Sequence, residues 1–182
     1  MACNTVTLNS IDARCDVSAG GIKRVIIGHK DDVQSVTVDP VTGIITAVSL
    51  VNTTKFAEWR FRKNTGSLTS TVTSDPAIGN TVATTEVNLQ FTKAEAQKRL
   101  DIQSAINASA VVIVEDMYGQ FIYLGLENEV VVSNATMVTG TASSDLNGFT
   151  LTFQDIATEL PHFIEPNIVS NLLEGKSNVT PA

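Results

Sequence analysis

Cysteine is nearly absent. Cys3 and Cys15 are the only two in 182 residues, too few for a disulfide-dense scaffold or a four-thiolate zinc site. With no histidine nearby to complete a metal set, they read as reduced thiols. Histidine, the commonest acid–base residue, occurs only as His29 and His162, with no cysteine near either, so the usual catalytic and metal constellations lack their members. Charge is sparse too, at 17% of residues with a net of −7, which argues against disorder and against a nucleic-acid binder working through a basic face. The longest near-apolar run, Ala105 to Val114, falls well short of a membrane span. The opening Met-Ala-Cys-Asn-Thr has neither a basic leader nor an apolar core, so no signal peptide is expected. A Gly-x-Ser-x-Gly elbow and a phosphate loop are also missing, and Gly20-Gly21 has neither the spacing nor the following helix that a phosphate loop needs.

What is present is a chain long enough to bury roughly 70% of its unfolded surface without staples. Its charge is unevenly spread: residues up to Arg99 include 11 basic and 9 acidic, whereas those beyond have only Lys176 against ten acids. The acids are dispersed, which fits a solvated surface. It also fits a wall kept negative so that a polyanion does not stick to it.

Strand patterns run along most of the chain. Ile22 to Gly28 and Val33 to Val38 are Val/Ile-rich, and Asp39-Pro40-Val41-Thr42-Gly43 supplies a turn before Ile44 to Leu50. Lys55 to Lys63 alternates, with Ala57, Trp59 and Phe61 on one side. Ser67 to Ser74 and Thr81 to Phe91 flank a loop longer than a tight turn needs. One helix is expected over about 93–107, opened by a Thr92–Glu95 capping box and carrying Ala96, Leu100 and Ala105 or Ile106 as its apolar stripe. Further strands follow at Ala110 to Glu115, Gln120 to Gly125, Glu129 to Val132, Ala135 to Thr141 and Phe149 to Asp155. This order excludes a doubly wound α/β fold and predicts a mainly β two-sheet sandwich or barrel with one flanking α-helix. Residues 1–164 read as one β-rich domain, with 1–20 as a candidate N-terminal arm. Periodicity fades after Pro161, so 165–182 reads as a C-terminal arm that orders on a partner.

Candidate chemistry is thin. His29 in Gly28-His29-Lys30-Asp31-Asp32 reads as a polar loop, and His162 stands alone after Pro161. Glu115-Asp116 resembles a carboxylate pair, but adjacent strand residues point to opposite faces. Four Asn-x-Ser/Thr sequons, beginning at Asn52, Asn107, Asn134 and Asn178, are chance matches in a Thr-rich chain. Trp59, Tyr118, Phe121 and Tyr123 motivate an alternative, a β-sandwich carbohydrate-binding or adhesive module of a virion or cell surface.

A succession of motifs between Gly66 and Phe163 carries a resemblance. It comprises Ser67-Leu68-Thr69, Ser74-Asp75-Pro76 with Gly79, Leu89-Gln90-Phe91-Thr92-Lys93, a helix, Val112 to Asp116 through Gly119 to Leu124-Gly125, Thr139-Gly140-Thr141-Ala142, Asp145-Leu146-Asn147-Gly148-Phe149 and Pro161. With Gly20-Gly21-Ile22, this resembles a group of small structural proteins of tailed phages of Bacteroidetes-type hosts, including crAss-like phages. These are similar to tail-tube and head-to-tail connector ring proteins, in which a β-sandwich or barrel with one helix assembles into stacked rings around a DNA channel. The resemblance implies a tail-tube-like, non-enzymatic virion protein, made in the host cytoplasm and sited in the tail or neck. It implies no cofactor, metal or membrane, a homo-oligomeric ring with neighbouring tail or connector proteins as partners, and DNA that passes without specific binding. Asp75, Pro76, Ile78 and Gly79 in the hairpin loop, and Ile168, Val169, Leu172 and Leu173 in the arm, are then expected at inter-subunit contacts. Glu115, Asp116, Glu127, Glu129, Asp145 and Asp155 are expected to face the lumen.

Overall fold

The computed structural model describes residues 20–176 apart from 76 and 78. Cys3, Cys15, Asn178, Pro76, Ile78 and most of the candidate 1–20 arm lie outside the described residues. Eleven strands form two sheets. The larger sheet has the order β2 (Val33–Val38), β3 (Ile45–Leu50), β11 (His162–Ile164), β8 (Phe121–Leu124), β7 (Ala110–Asp116), β1 (Ile22–His29), β4 (Ala57–Arg60). It is antiparallel except where β11 meets β3. The smaller sheet is antiparallel throughout, in the order β5 (Gly66–Asp75), β6 (Asn80–Thr92), β10 (Gly148–Ala157), β9 (Val131–Val138). The architecture is the expected mainly β two-sheet sandwich, without closure into a barrel.

The apolar run around β7 finds its explanation here. Ala110 through Val114 are buried on both faces, the signature of a central strand covered from either side. Val112 and Val114 pack with Val25, Val87, Leu151 and Phe153 between the two sheets. Val111 and Ile113 pack with Ile26, Ile45, Val48, Phe121 and the C-terminal helix. In the smaller sheet the alternation predicted for Phe149, Leu151 and Phe153 points these residues inward. β10 lies so close to β6 at its start that a Cβ on Gly148 would fall 1.9 Å from the Phe91 carbonyl oxygen. Only glycine fits there.

Two helices differ from expectation. Helix α1 spans Ala96–Ile106 and begins later than the capping box implied. Thr92 is still paired in β6 opposite Gly148, Lys93 adopts φ 67°, and Glu95 occupies the cap position without a side-chain cap. The Glu95 carboxylate is taken instead by Lys93 and Lys98. The buried stripe is Ile102 and Ala105, while Leu100 and Ile106 face solvent.

The second helix corrects the reading of 165–182 as an arm. Residues Pro166–Glu174 form α2, opened by Pro166 at its first turn and closed by Gly175 at φ 71°. A Cβ on Gly175 would lie 2.5 Å from the Thr53 carbonyl, and the Phe56 amide donates to the Leu172 carbonyl at 3.2 Å. Ile168, Val169 and Leu172 are buried in this chain's own second core, with Leu172 fully inaccessible and Leu173 packed at its margin. These four residues are therefore committed within the subunit, and the domain continues through α2. Leu172→Ala is expected to cost about 3 kcal/mol, the usual cost of emptying a leucine site in a packed core. Urea unfolding of the variant against the parent measures it.

Candidate functional site

Among the described residues, the hairpin β5–β6 leaves the body of the fold. β6 pairs with β10 only from Ala83 onward, so Thr73–Val82, Ser74–Thr81 and Asp75–Asn80 pair as a two-stranded ribbon with no described strand beside them. Residues 71 to 75 are exposed on both faces, and Val72, on the side that faces the core further along β5, is 46% exposed. The described residues at the tip are hydrogen-bonded to one another. Asp75 Oδ1 accepts from the Ala77 amide at 2.9 Å, the Gly79 amide donates to the Asp75 carbonyl at 2.9 Å, and Ser74 and Thr81 hydroxyls meet across the ribbon at 3.2 Å. Residues 71 to 75 and 80 to 81 of this ribbon are thus open to solvent.

Strand β9 adds a second open surface that the sequence reading did not single out. It closes the other edge of the same sheet, carries no charge, and leaves Val131, Met137 and Val138 exposed, Met137 by 57%. Alternation had suggested two strands here. The structure has one, with a register shift opposite Thr152 and Phe153.

The six expected lumen carboxylates are not brought together. Glu115 is 3% exposed and held between Lys23, at 2.8 Å, and Arg24, which also binds Glu58. Burial alone would raise the Glu115 carboxyl, but the two cations outweigh it and hold the group below its ordinary value. Asp155 is 6% exposed and accepts from the Gly125 amide at 3.0 Å, while burial pushes its carboxyl up. Three others organise loops. Asp116 Oδ1 takes the Tyr118 and Gln120 amides, Glu127 takes the Thr158 amide, and Asp145 takes those of Thr141 and Ala142. Glu127 and Asp145 sit by opposite ends of β10, a strand of ten residues and thus about 30 Å long. Glu115 and Asp155 are buried, Asp116 and Asp145 lie in separate turns, and Glu127 and Glu129 share the exposed segment between β8 and β9.

The other candidates resolve as structure. Beside Asp155, Lys30 reaches the carbonyls of Gly125 and Leu126, and the Tyr123 hydroxyl is buried. His162 donates from Nδ1 to the Gly43 carbonyl at 2.7 Å and from Nε2 to Glu159 at 2.9 Å, an arrangement that suits the imidazolium. Burial lowers its affinity for a proton, but these two acceptors more than compensate and leave it raised. His29 faces solvent beside Asp31. Of the four aromatics considered for sugar stacking, Phe121 and Tyr123 are buried, Tyr118 is isolated in a turn, and Trp59 packs edge-on to Phe91 at 5.6 Å. They form no shared platform. Among the described residues no group of three or more His, Cys, Asp or Glu is placed to hold a metal, and no helix is long and apolar enough to cross a membrane. Comparison with known protein families, curated proteins and solved structures finds no significant match to this chain.

These ion pairs make stability depend on pH in two opposite senses. Glu115→Gln strands Lys23 and leaves Arg24 with Glu58 alone, at an expected cost of about 2 kcal/mol near neutral pH, below the full cost of a deeply buried pair because both cations reach solvent. A carboxyl depressed in the folded state stabilises above its unfolded value, about pH 4.3, and that contribution disappears as pH falls through the folded value. The parent and variant unfolding curves should therefore converge in acid. His162 has the opposite sign. Its stabilisation is complete below about pH 6.5 and is lost as pH rises through the folded value, so the melting-temperature gap between parent and His162→Gln should narrow in alkali.

Proposed function

We propose that this chain is a structural subunit of a tailed-phage virion, assembling into homo-oligomeric rings of the tail tube or head-to-tail connector around a DNA channel. The observation that carries the reading is the β5–β6 ribbon, which extends past its own sheet with both faces bare. In an isolated subunit such a ribbon orders about ten residues for little burial, a cost that makes sense when a neighbour supplies the missing surface. The uncharged open edge of β9 and its exposed Val131, Met137 and Val138 offer a complementary site for closure between copies. Glu115, Asp116, Glu127 and Asp145 are spent on an ion-pair row and on loop anchors.

The test is deletion of Pro76 to Gly79, joining Asp75 to Asn80 through a two-residue Asn-Gly turn. The variant should keep the parent's melting temperature within a few degrees but lose rings in negative-stain images and shift toward single subunits in light scattering. Rings that form as well as the parent's would remove the ribbon from the interface, and a parent that stays monomeric at every concentration would overturn the assembly reading itself.

A further inference from the structure

Tyr123 of β8, in the larger sheet, and Asp155 of β10, in the smaller one, are both buried, at 1% and 6% exposed. Asp155 Oδ2 accepts from the Gly125 amide at 3.0 Å. Among the described residues neither the Tyr123 hydroxyl nor Asp155 Oδ1 has a hydrogen-bond partner. Left so, a desolvated phenol and a desolvated carboxylate oxygen each cost more than an ordinary hydrogen bond contributes.

Both residues line one small pocket, where β8 and β10 meet the segment from Ala157 to His162. Leu126 and Pro161 give it apolar walls. Its other polar side chains are already engaged. Glu127 accepts from the Thr158 hydroxyl at 2.5 Å and from the Thr158 amide at 2.8 Å, and His162 donates from Nε2 to Glu159 at 2.9 Å. The pocket leaves ≈ 10 Å³ for the centre of a water-sized sphere, which is room for a single small molecule.

The two free atoms call for a molecule that both accepts and donates. Burial, with the Asp155 carboxylate beside it, pushes the Tyr123 phenol up, so Tyr123 keeps its proton and acts as the donor. Asp155 Oδ1 offers lone pairs. A metal cation fits less well, because it would bind oxygen lone pairs and leave the phenol proton unaccepted. Positive charge is also supplied to Asp155 already by Lys30, whose ammonium reaches the Gly125 and Leu126 carbonyls.

We propose that this pocket is the binding site of one structural water, which accepts from the Tyr123 hydroxyl and donates to Asp155 Oδ1, and so pins β8 to β10 across the two sheets. Its second hydrogen has the spare lone pairs of the Glu127 and Glu159 carboxylates on the same lining. The pin converts two costly buried groups into a fixed contact between the sheets. It lies within one subunit and is independent of the assembly reading.

The sign of one substitution tests the site. With the water bound, Tyr123→Phe removes a hydrogen bond that is made, and urea unfolding should show the folding equilibrium constant lowered about fivefold. With the hydroxyl unpartnered, the same substitution removes an uncompensated polar group, so an unchanged or raised constant would overturn the proposal. A high-resolution crystal structure of the parent should show a density peak about 2.7–3.0 Å from both oxygens. Direct contact between the two oxygens, or no peak beside them, would overturn it as well. Unfolding in equal concentrations of sodium, potassium and choline chloride separates water from a cation. Equal midpoints are expected, and a stabilisation by sodium or potassium that Tyr123→Phe abolishes would make the ligand a monovalent cation and overturn the water.

Discussion

β7 carries the fold. It is buried on both faces, and each face belongs to a different core: Val112 and Val114 close the space between the sheets, while Val111 and Ile113 close the space under α2. Neither core is a satellite of the other, because loss of β7 would open both. Near its end the same strand carries Glu115, whose buried carboxylate draws Lys23 and Arg24 of β1, and through Arg24 draws Glu58 of β4. Apolar burial and the ion-pair row therefore reinforce one register across three strands.

The buried acids Glu115 and Asp155 are consumed in holding strands and loops together. What the body of the fold does not use is at its margins: a ribbon that overhangs its sheet, an uncharged edge on β9, and the outer edge of β5. Sheet margins are where β proteins either associate or defend themselves.

Much of the fold was legible beforehand, and for identifiable reasons. Alternation over Phe149 to Asp155 and Thr81 to Phe91 reports a half-buried surface directly, so those strands and their inward residues were found. α2 was equally legible in kind: proline at its first turn, Ile168, Val169, Leu172 and Leu173 at helical spacing, and glycine just past the end. The fading β period of the same segment masks these helix signals. α1 misled in the other direction. Its Thr92 and Glu95 match a capping box, yet Thr92 is held in the β6 ladder against Gly148, and strand pairing prevails over a local cap.

The candidate site divides along the same line. Strand content, the long hairpin and the acidic second half are properties of residue type and local spacing, and the sequence by itself determined them. Which acids are buried, that Lys30 turns back to the 125–126 carbonyls, that His162 bridges Gly43 and Glu159, and that α2 belongs to the core depend on residues up to 119 positions apart. Local pattern cannot encode such contacts, because burial of a polar or apolar group is decided by what the distant chain places against it. Glu115 shows the difference most plainly: as a letter it is a surface carboxylate, and only the arrival of β1 beside β7 makes it a buried anchor.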